Sequence, residues 1–211
     1  MSGHGRFITL EGGEGAGKST LLAGLREHLE ARGVDLLLTR EPGGTALGEA
    51  VRAIVLDPTR HELCAESELL LMFASRAQLV RETIAPALAA GQWVLCDRYV
   101  DASYAYQGGG RGQPAERIAA LEQWACAGLK SDLTLLLDLP VTTGRARAAG
   151  RGAADRIEVE ADGFFERVRA TYRARAAAEP QRFRVIDASQ SPEAVLRDAI
   201  AATAHLFGAT S

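Results

Sequence analysis

The chain has 211 residues, 47% of them apolar and 24% charged, which is globular composition with length enough for a real core and not that of a disordered tail. With 24 Lys and Arg against 27 Asp and Glu, the net charge is −3, so no global basic field favours nucleic acid or a polybasic contact with a membrane. The 3 cysteines and 4 histidines show neither a CxxC nor metal-ligand spacing, so a disulfide framework and a zinc site are both disfavoured. No secretory signal pattern opens the chain, and no apolar run approaches the roughly 20 residues of a membrane span. The expectation is a cytoplasmic, globular protein of one domain covering residues 1–211.

The first apolar run, Phe7–Leu10, has strand length. It enters Gly12-Gly13-Glu14-Gly15-Ala16-Gly17-Lys18-Ser19, which matches G-x-x-x-x-G-K-[ST] at every fixed position. Backbone N–H groups that wrap phosphate oxygens leave little room for side chains, so glycine is favoured there. The following helix, expected over Lys18–Arg32 with Leu21, Leu22, Leu25 and Leu29 on one face and Gly33 as its stop, turns its positive end to the anion. Lys18 supplies a point charge to the β- and γ-phosphates, and the Ser19 hydroxyl can ligate Mg²⁺. A dinucleotide-binding GxGxxG fits this loop in no register, and the chain has neither an NKxD nor a DxxG motif, which weakens a GTPase reading.

A second strand, Val34–Leu38, leads to Thr39-Arg40-Glu41-Pro42-Gly43-Gly44-Thr45. Functional loops of parallel sheets sit at the carboxyl ends of strands, so Arg40 is expected in the crevice of the phosphate loop. Leu69, Phe73, Ala77, Val80, Ile84 and Leu88 then form a helical stripe. A third strand, Trp93–Cys96, ends in Asp97-Arg98-Tyr99. Asp97 is placed to hold Mg²⁺ through water, and Arg98 joins Arg40 as a second anion-binding group. Strands Leu133–Leu139 and Phe183–Ile186 and helical stripes through Phe165, Val168, Tyr172, Ala176 and through Leu196, Ile200, Thr203, Phe207 complete the pattern. Gln107–Gly112 and Ala148–Ala154 are rich in glycine and are expected as mobile loops. The fold expected is α/β: a P-loop fold with a five-stranded parallel sheet, helices on both faces and an arginine-rich lid at about 145–156.

EGGEGAGKST, TREPGGT, FASRAQ, DRYVDASYAYQGGGRG, SDLTLLLDLP and RGAADRIE together resemble, in order, the motifs of the bacterial thymidylate kinase family. The resemblance implies phosphorylation of dTMP to dTDP with ATP and Mg²⁺, and a homodimer for which the Leu69–Leu88 stripe is a candidate interface, although core packing explains that stripe equally well. It implies that Arg40 and Arg98 hold the dTMP phosphate, that Glu14 contacts the sugar 3′-hydroxyl, that Arg76, Ser103 and Gln107 bond the thymine edge, and that Tyr106 crowds the 2′ position. The family's stacking phenylalanine is replaced here by Met72, with Phe73 beside it, and either can line the base site. Residues Arg145 to Arg156 match the lid over the ATP phosphates. Some members carry an arginine at the position of Gly15, so here the lid is expected to supply the catalytic guanidinium. Arg151 is first in line, with Arg147 and Arg156 in reserve; Arg156 has Asp155 and Glu158 as alternative ion-pair partners. Asp187-Ala188-Ser189 matches a loop near the adenine. Two other readings stay open: a kinase for another nucleoside monophosphate, and a P-loop switch that binds ATP to recruit a protein.

Overall fold

Five strands pair in parallel in the order β2-β3-β1-β4-β5. They are β1 (Phe7–Gly12), β2 (Leu36–Arg40), β3 (Trp93–Asp97), β4 (Leu133–Asp138) and β5 (Phe183–Asp187) in the computed structural model, which describes residues 5–149 and 154–208. Parallel pairing requires crossovers, and the helices between the strands provide them. Successive residues face opposite sides of the sheet. Ile8, Leu10, Leu95, Leu133, Leu135 and Leu137 join one apolar cluster, while Phe7, Val94 and Cys96 join another and Leu136 and Phe183 a third. Both faces are therefore covered, as the unbroken apolar runs require.

β1, β2, β3 and β5 run past the apolar stretches that mark them, whereas β4 ends at Asp138, one residue short of Leu139. β1 continues through Glu11 and Gly12 because their backbones pair with Leu136 and Leu137. β2 begins at Leu36 because the Val34 N–H is used by the Leu29 carbonyl at the preceding helix end. β3 ends on Asp97. The ladder takes any backbone, so a polar side chain ends the apolar pattern without ending the strand.

Helix α1 (Lys18–Ala31) buries Leu21, Leu25 and Leu29, and Gly33 terminates it at φ +80. Helix α2 (Ala46–Leu56) starts at Thr45, whose hydroxyl caps the Gly48 N–H. Helix α3 (Ala65–Leu79) runs through a π-turn at Val80–Ile84 into α4 (Ala85–Ala89). Pro86 lies in that last segment, and the wider turn before it takes up the ring and the missing N–H. The stripe expected as a possible interface is internal: Leu69, Phe73, Val80, Ile84 and Leu88 are all buried.

Helix α5 (Val100–Ser103) continues into a π-helical segment, Tyr104–Gly110. This corrects the expectation of a mobile loop over Gln107–Gly112. The glycines serve close approach: a Cβ on Gly109 would stand 2.2 Å from the Thr171 hydroxyl, and one on Gly110 2.4 Å from the Phe164 ring. Both neighbours belong to helix α8 (Asp162–Ala178), reached after α6 (Ala115–Cys126) and α7 (Val141–Ala148). Helix α9 (Pro192–Thr203) packs on α1. In the other glycine-rich stretch, Ala148 closes α7 and residues 150–153 lie outside the described residues. No helix of the described residues is long and apolar enough to cross a membrane.

Candidate active site

The register brings the functional strand ends together. Arg40 pairs with Asp97 across β2 and β3, and Leu10 pairs with Asp97 across β1 and β3. The glycine loop leaves β1 two residues later and ends where α1 begins at Lys18. Arg98 follows in a left-handed conformation, φ 72, which only an over-determined site holds for a residue other than glycine.

A cavity of about 260 Å³ opens at this point. The loop from Glu14 to Ser19 lines it together with Arg40, Asp97 and Arg98, and Arg98 is bonded to the loop through the Gly12 carbonyl at 2.9 Å. Met72, Tyr106 and Gln107 line it further in, and Asp155, Ile157 and Glu158 border it from the far end of the expected lid. Lys18 donates to the carbonyls of Gly12 and Gly13, each at 3.2 Å. Burial and then the neighbouring Arg98 charge lower the Lys18 pKa. Both candidate phosphate-binding arginines hold carboxylates: Arg40 donates to Glu49 at 3.0 and 3.1 Å, and Arg98 to Glu14 at 2.8 Å. Each guanidinium thus already holds an anionic oxygen, Arg40 through one nitrogen to both Glu49 oxygens and Arg98 through one nitrogen to one Glu14 oxygen. The Tyr106 hydroxyl donates to the same Glu14 oxygen at 2.9 Å, and the Arg98 guanidinium lies 4.8 Å from the Tyr106 ring centre.

The structure separates the two candidates for the base wall. Met72 lines the cavity. Phe73 is buried in the core cluster of the sheet, with the Arg76 guanidinium 4.4 Å from its ring centre. Arg76 itself is fully buried behind the cavity. It donates to Glu41 at 2.7 Å, Ser103 at 3.0 Å and the Tyr99 carbonyl at 3.2 Å. Burial raises the Glu41 pKa despite that arginine. Arg76 and Ser103 are therefore bonded to each other, one layer back from the surface that Gln107 and Met72 provide.

The residues present fit Mg²⁺. One Asp97 oxygen, Oδ1, is buried without a hydrogen-bond partner at the cavity wall, and Ser19 of the loop lines the same cavity. Among the described residues no cluster of three or more His, Cys, Asp or Glu could hold a metal alone. A hard cation that keeps waters and arrives with nucleotide phosphates needs only such a sparse set of oxygens.

Gly15, at φ +70, sits against helix α7: a Cβ there would stand 2.0 Å from the Gly144 carbonyl oxygen. No arginine fits at that position. Beyond it, Arg147 donates to the Ala188 carbonyl at 2.8 Å and lines a second cavity of about 410 Å³ with Gly15, Gly17, Gln190 and Pro192. Arg145 is tied to Glu160 and Asp162 at the start of α8. Arg156 pairs with neither Asp155 nor Glu158: its guanidinium reaches Glu68 and the Val55 carbonyl and is buried. Arg151 lies outside the described residues.

Sequence reasoning missed Arg52, which lines the cavity and donates to the Pro42 carbonyl at 3.1 Å, and Glu68, a buried carboxylate shared by Gln107, Arg111 and Arg156. Spacing could have pointed to Glu68, four residues before Met72 on one helix face; its partners come from far along the chain.

A parallel sheet whose central strand feeds a phosphate loop, faced by a second anion-binding wall, defines a P-loop phosphotransferase. A family model described as thymidylate kinase matches residues 10–199. A thymidylate kinase of Alkalilimnicola ehrlichii is 60% identical over 193 residues, 91% of this chain and 89% of that one. Those of Pseudomonas putida (strain GB-1) and Alcanivorax borkumensis are 59% and 55% identical, covering 92% and 90% of this chain and 92% of each relative. The chain belongs to the thymidylate kinase family.

Proposed function

We propose that the chain transfers the γ-phosphoryl group of ATP to dTMP, giving dTDP and ADP. The observation that carries this reading is that one cavity is lined both by Lys18 and Ser19 of the phosphate loop and by Arg40 and Arg98 at the ends of β2 and β3. A switch that only binds ATP has no second phosphate to hold. The acceptor is a phosphate oxygen, already anionic near neutral pH, so no strong general base is needed. Arg40 and Arg98 orient that acceptor, and Lys18 neutralises charge on the transferring group. Ser19 and Asp97 would hold Mg²⁺, which supplies further charge neutralisation on the phosphates. Glu14, which accepts from the Tyr106 hydroxyl and Arg98, contacts the sugar in this reading. Met72 packs the base, and Arg76 and Ser103 support the base wall beside Gln107. Arg147 and the Ala188 loop take the adenine end of ATP.

The lid supplies the remaining guanidinium in this reading. Arg145 and Arg156 are held elsewhere, and Gly15 has no room for a side chain, which leaves Arg151 with Arg147 as its reserve. Arg151→Ala should lower kcat far more than it raises the KM for dTMP, whereas Arg145→Ala should do little. Equal kcat in both variants would refute the assignment. We also propose a homodimer. With the Leu69–Leu88 stripe internal, the support is the outer side of α3 and α6, where Leu70 is 58% and Trp124 78% exposed; light scattering at a monomer mass would refute it. The substrate assignment is tested by a panel of nucleoside monophosphates in a coupled ADP assay. Preference for dTMP is expected, and preference for any other base would replace the reading with that kinase.

A further inference from the structure

Gln107 is buried, lines the cavity, and is a residue whose two polar ends are opposite in kind. Its Nε2 donates to Glu68 Oε1 at 2.8 Å. Its Oε1 is buried with no hydrogen-bond partner. An orphaned acceptor in a binding cavity costs free energy unless a ligand supplies a donor. The orientation of the amide has a cause. Glu68 is itself buried and takes Arg111 at 3.2 Å and Arg156 as ion-pair partners. A carboxylate held by two guanidinium groups accepts only, so the amide must turn its NH₂ toward it and its oxygen away.

We infer that Glu68 is a positioning residue for nucleobase selection: by accepting from the Gln107 amide, it fixes Gln107 Oε1 as the acceptor that reads a ring N–H of the bound base. This rests on the reading of the cavity as the monophosphate site. Thymine carries N3–H and satisfies that acceptor. Cytosine carries a lone pair at N3 and leaves two acceptors facing each other. Glu68 touches no substrate in this account. It acts through Gln107, and Arg156, one of the two arginines that hold it, ties the orientation of the amide to the far end of the lid.

The inference predicts an inversion. In Glu68→Gln the side-chain oxygen stays with the arginines, so the new NH₂ faces Gln107. The Gln107 amide then flips and shows its own NH₂ to the base. The probes are dTMP and 5-methyl-dCMP, which differ only at N3 and the 4-substituent, measured with the full-length protein and MgATP. The ratio of kcat/KM for dTMP over 5-methyl-dCMP should fall by about tenfold or more in Glu68→Gln, with most of the change in KM, as expected for one buried polar mismatch. In Gln107→Met the ratio should also fall, and adding Glu68→Gln to Gln107→Met should leave it where it is, because the amide through which Glu68 acts is gone. A merely structural Glu68 would alter both backgrounds alike. A folded Glu68→Gln with the wild-type ratio, or the same drop in both backgrounds, overturns the inference. If Glu68→Gln does not fold, Gln107→Met decides: full discrimination retained there overturns it. Wild-type protein without dTMP-dependent turnover would instead refute the monophosphate site itself.

Discussion

Gly15 is where the loop geometry makes its sharpest demand. A methyl group there would stand 2.0 Å from the Gly144 carbonyl oxygen and 2.7 Å from its carbon, on a backbone at φ +70. Neither atom is the end of a flexible side chain, so helix α7 or the loop must move. Overpacking of this kind costs about 1–3 kcal/mol, and the left-handed backbone adds about 1–2 kcal/mol for a residue with a Cβ. Gly15→Ala is therefore expected to lose about 2–5 kcal/mol. For a chain of this size that is a fall in Tm of about 4–20 °C at about 2–4 °C per kcal/mol. The reciprocal Gly144→Ala puts its Cβ 2.3 Å from the Glu14 carbonyl oxygen. The two act at the same approach of the loop to α7, so one displacement relieves both and the double variant should lose less than the sum of the singles. Thermal melts of the four proteins read this directly, and the coupled ADP assay reads the displaced loop as lost kcat. Gly15→Arg should be no better, and should not restore activity to Arg151→Ala. A Gly15→Ala protein with wild-type Tm and kcat, or a Gly15→Arg that rescues Arg151→Ala, would refute the reasoning.

Lys18→Ala should keep the fold by circular dichroism and lower turnover by about 10²-fold or more, because a charge aimed at the transferring group is lost; near-normal turnover would remove Lys18 from the ATP site. Tyr106→Ala should admit ribothymidine monophosphate better relative to dTMP, while Tyr106→Phe, which gives up only the bond to Glu14, should still reject it. The expected steric discrimination is about 1–3 kcal/mol, and an unchanged ratio in Tyr106→Ala would make the ring structural. Glu11 sets a pH dependence. Burial, and then the Asp101 charge, push its carboxyl from 4.5 up to about 8, against the pull of Arg98 and its bonds to Tyr172 and Tyr99. The folded state then keeps a proton that the unfolded chain releases, so this group's contribution to stability falls as pH rises from about 4.5 to about 8. Glu11→Gln should remove that slope, and the variant should gain Tm over the wild type as pH rises through this window; a pH-independent difference would refute it.

What the sequence revealed depended on how local the signal was. The glycine loop, Lys18 and the carboxyl ends of β2 and β3 were legible because each is a short motif at a strand end. The strand limits were less so, since Glu11 and Asp97 stay in the ladder after the apolar pattern stops. The glycines at 109 and 110 read as loop because composition does not distinguish freedom from close approach, and it is helix α8, more than fifty residues later, that needs the space. Met72 and Phe73 could not be ranked from spacing, since adjacent helix positions differ only in which neighbours they meet. Glu68 was missed because its meaning lies in three partners at Gln107, Arg111 and Arg156, each distant along the chain.

The most direct measurement is ADP release from MgATP by the purified full-length protein, with and without dTMP. The account predicts rapid release only when dTMP is present, one dTDP for each ADP, with little ATP hydrolysis in its absence. Equal ADP release with and without dTMP would contradict it.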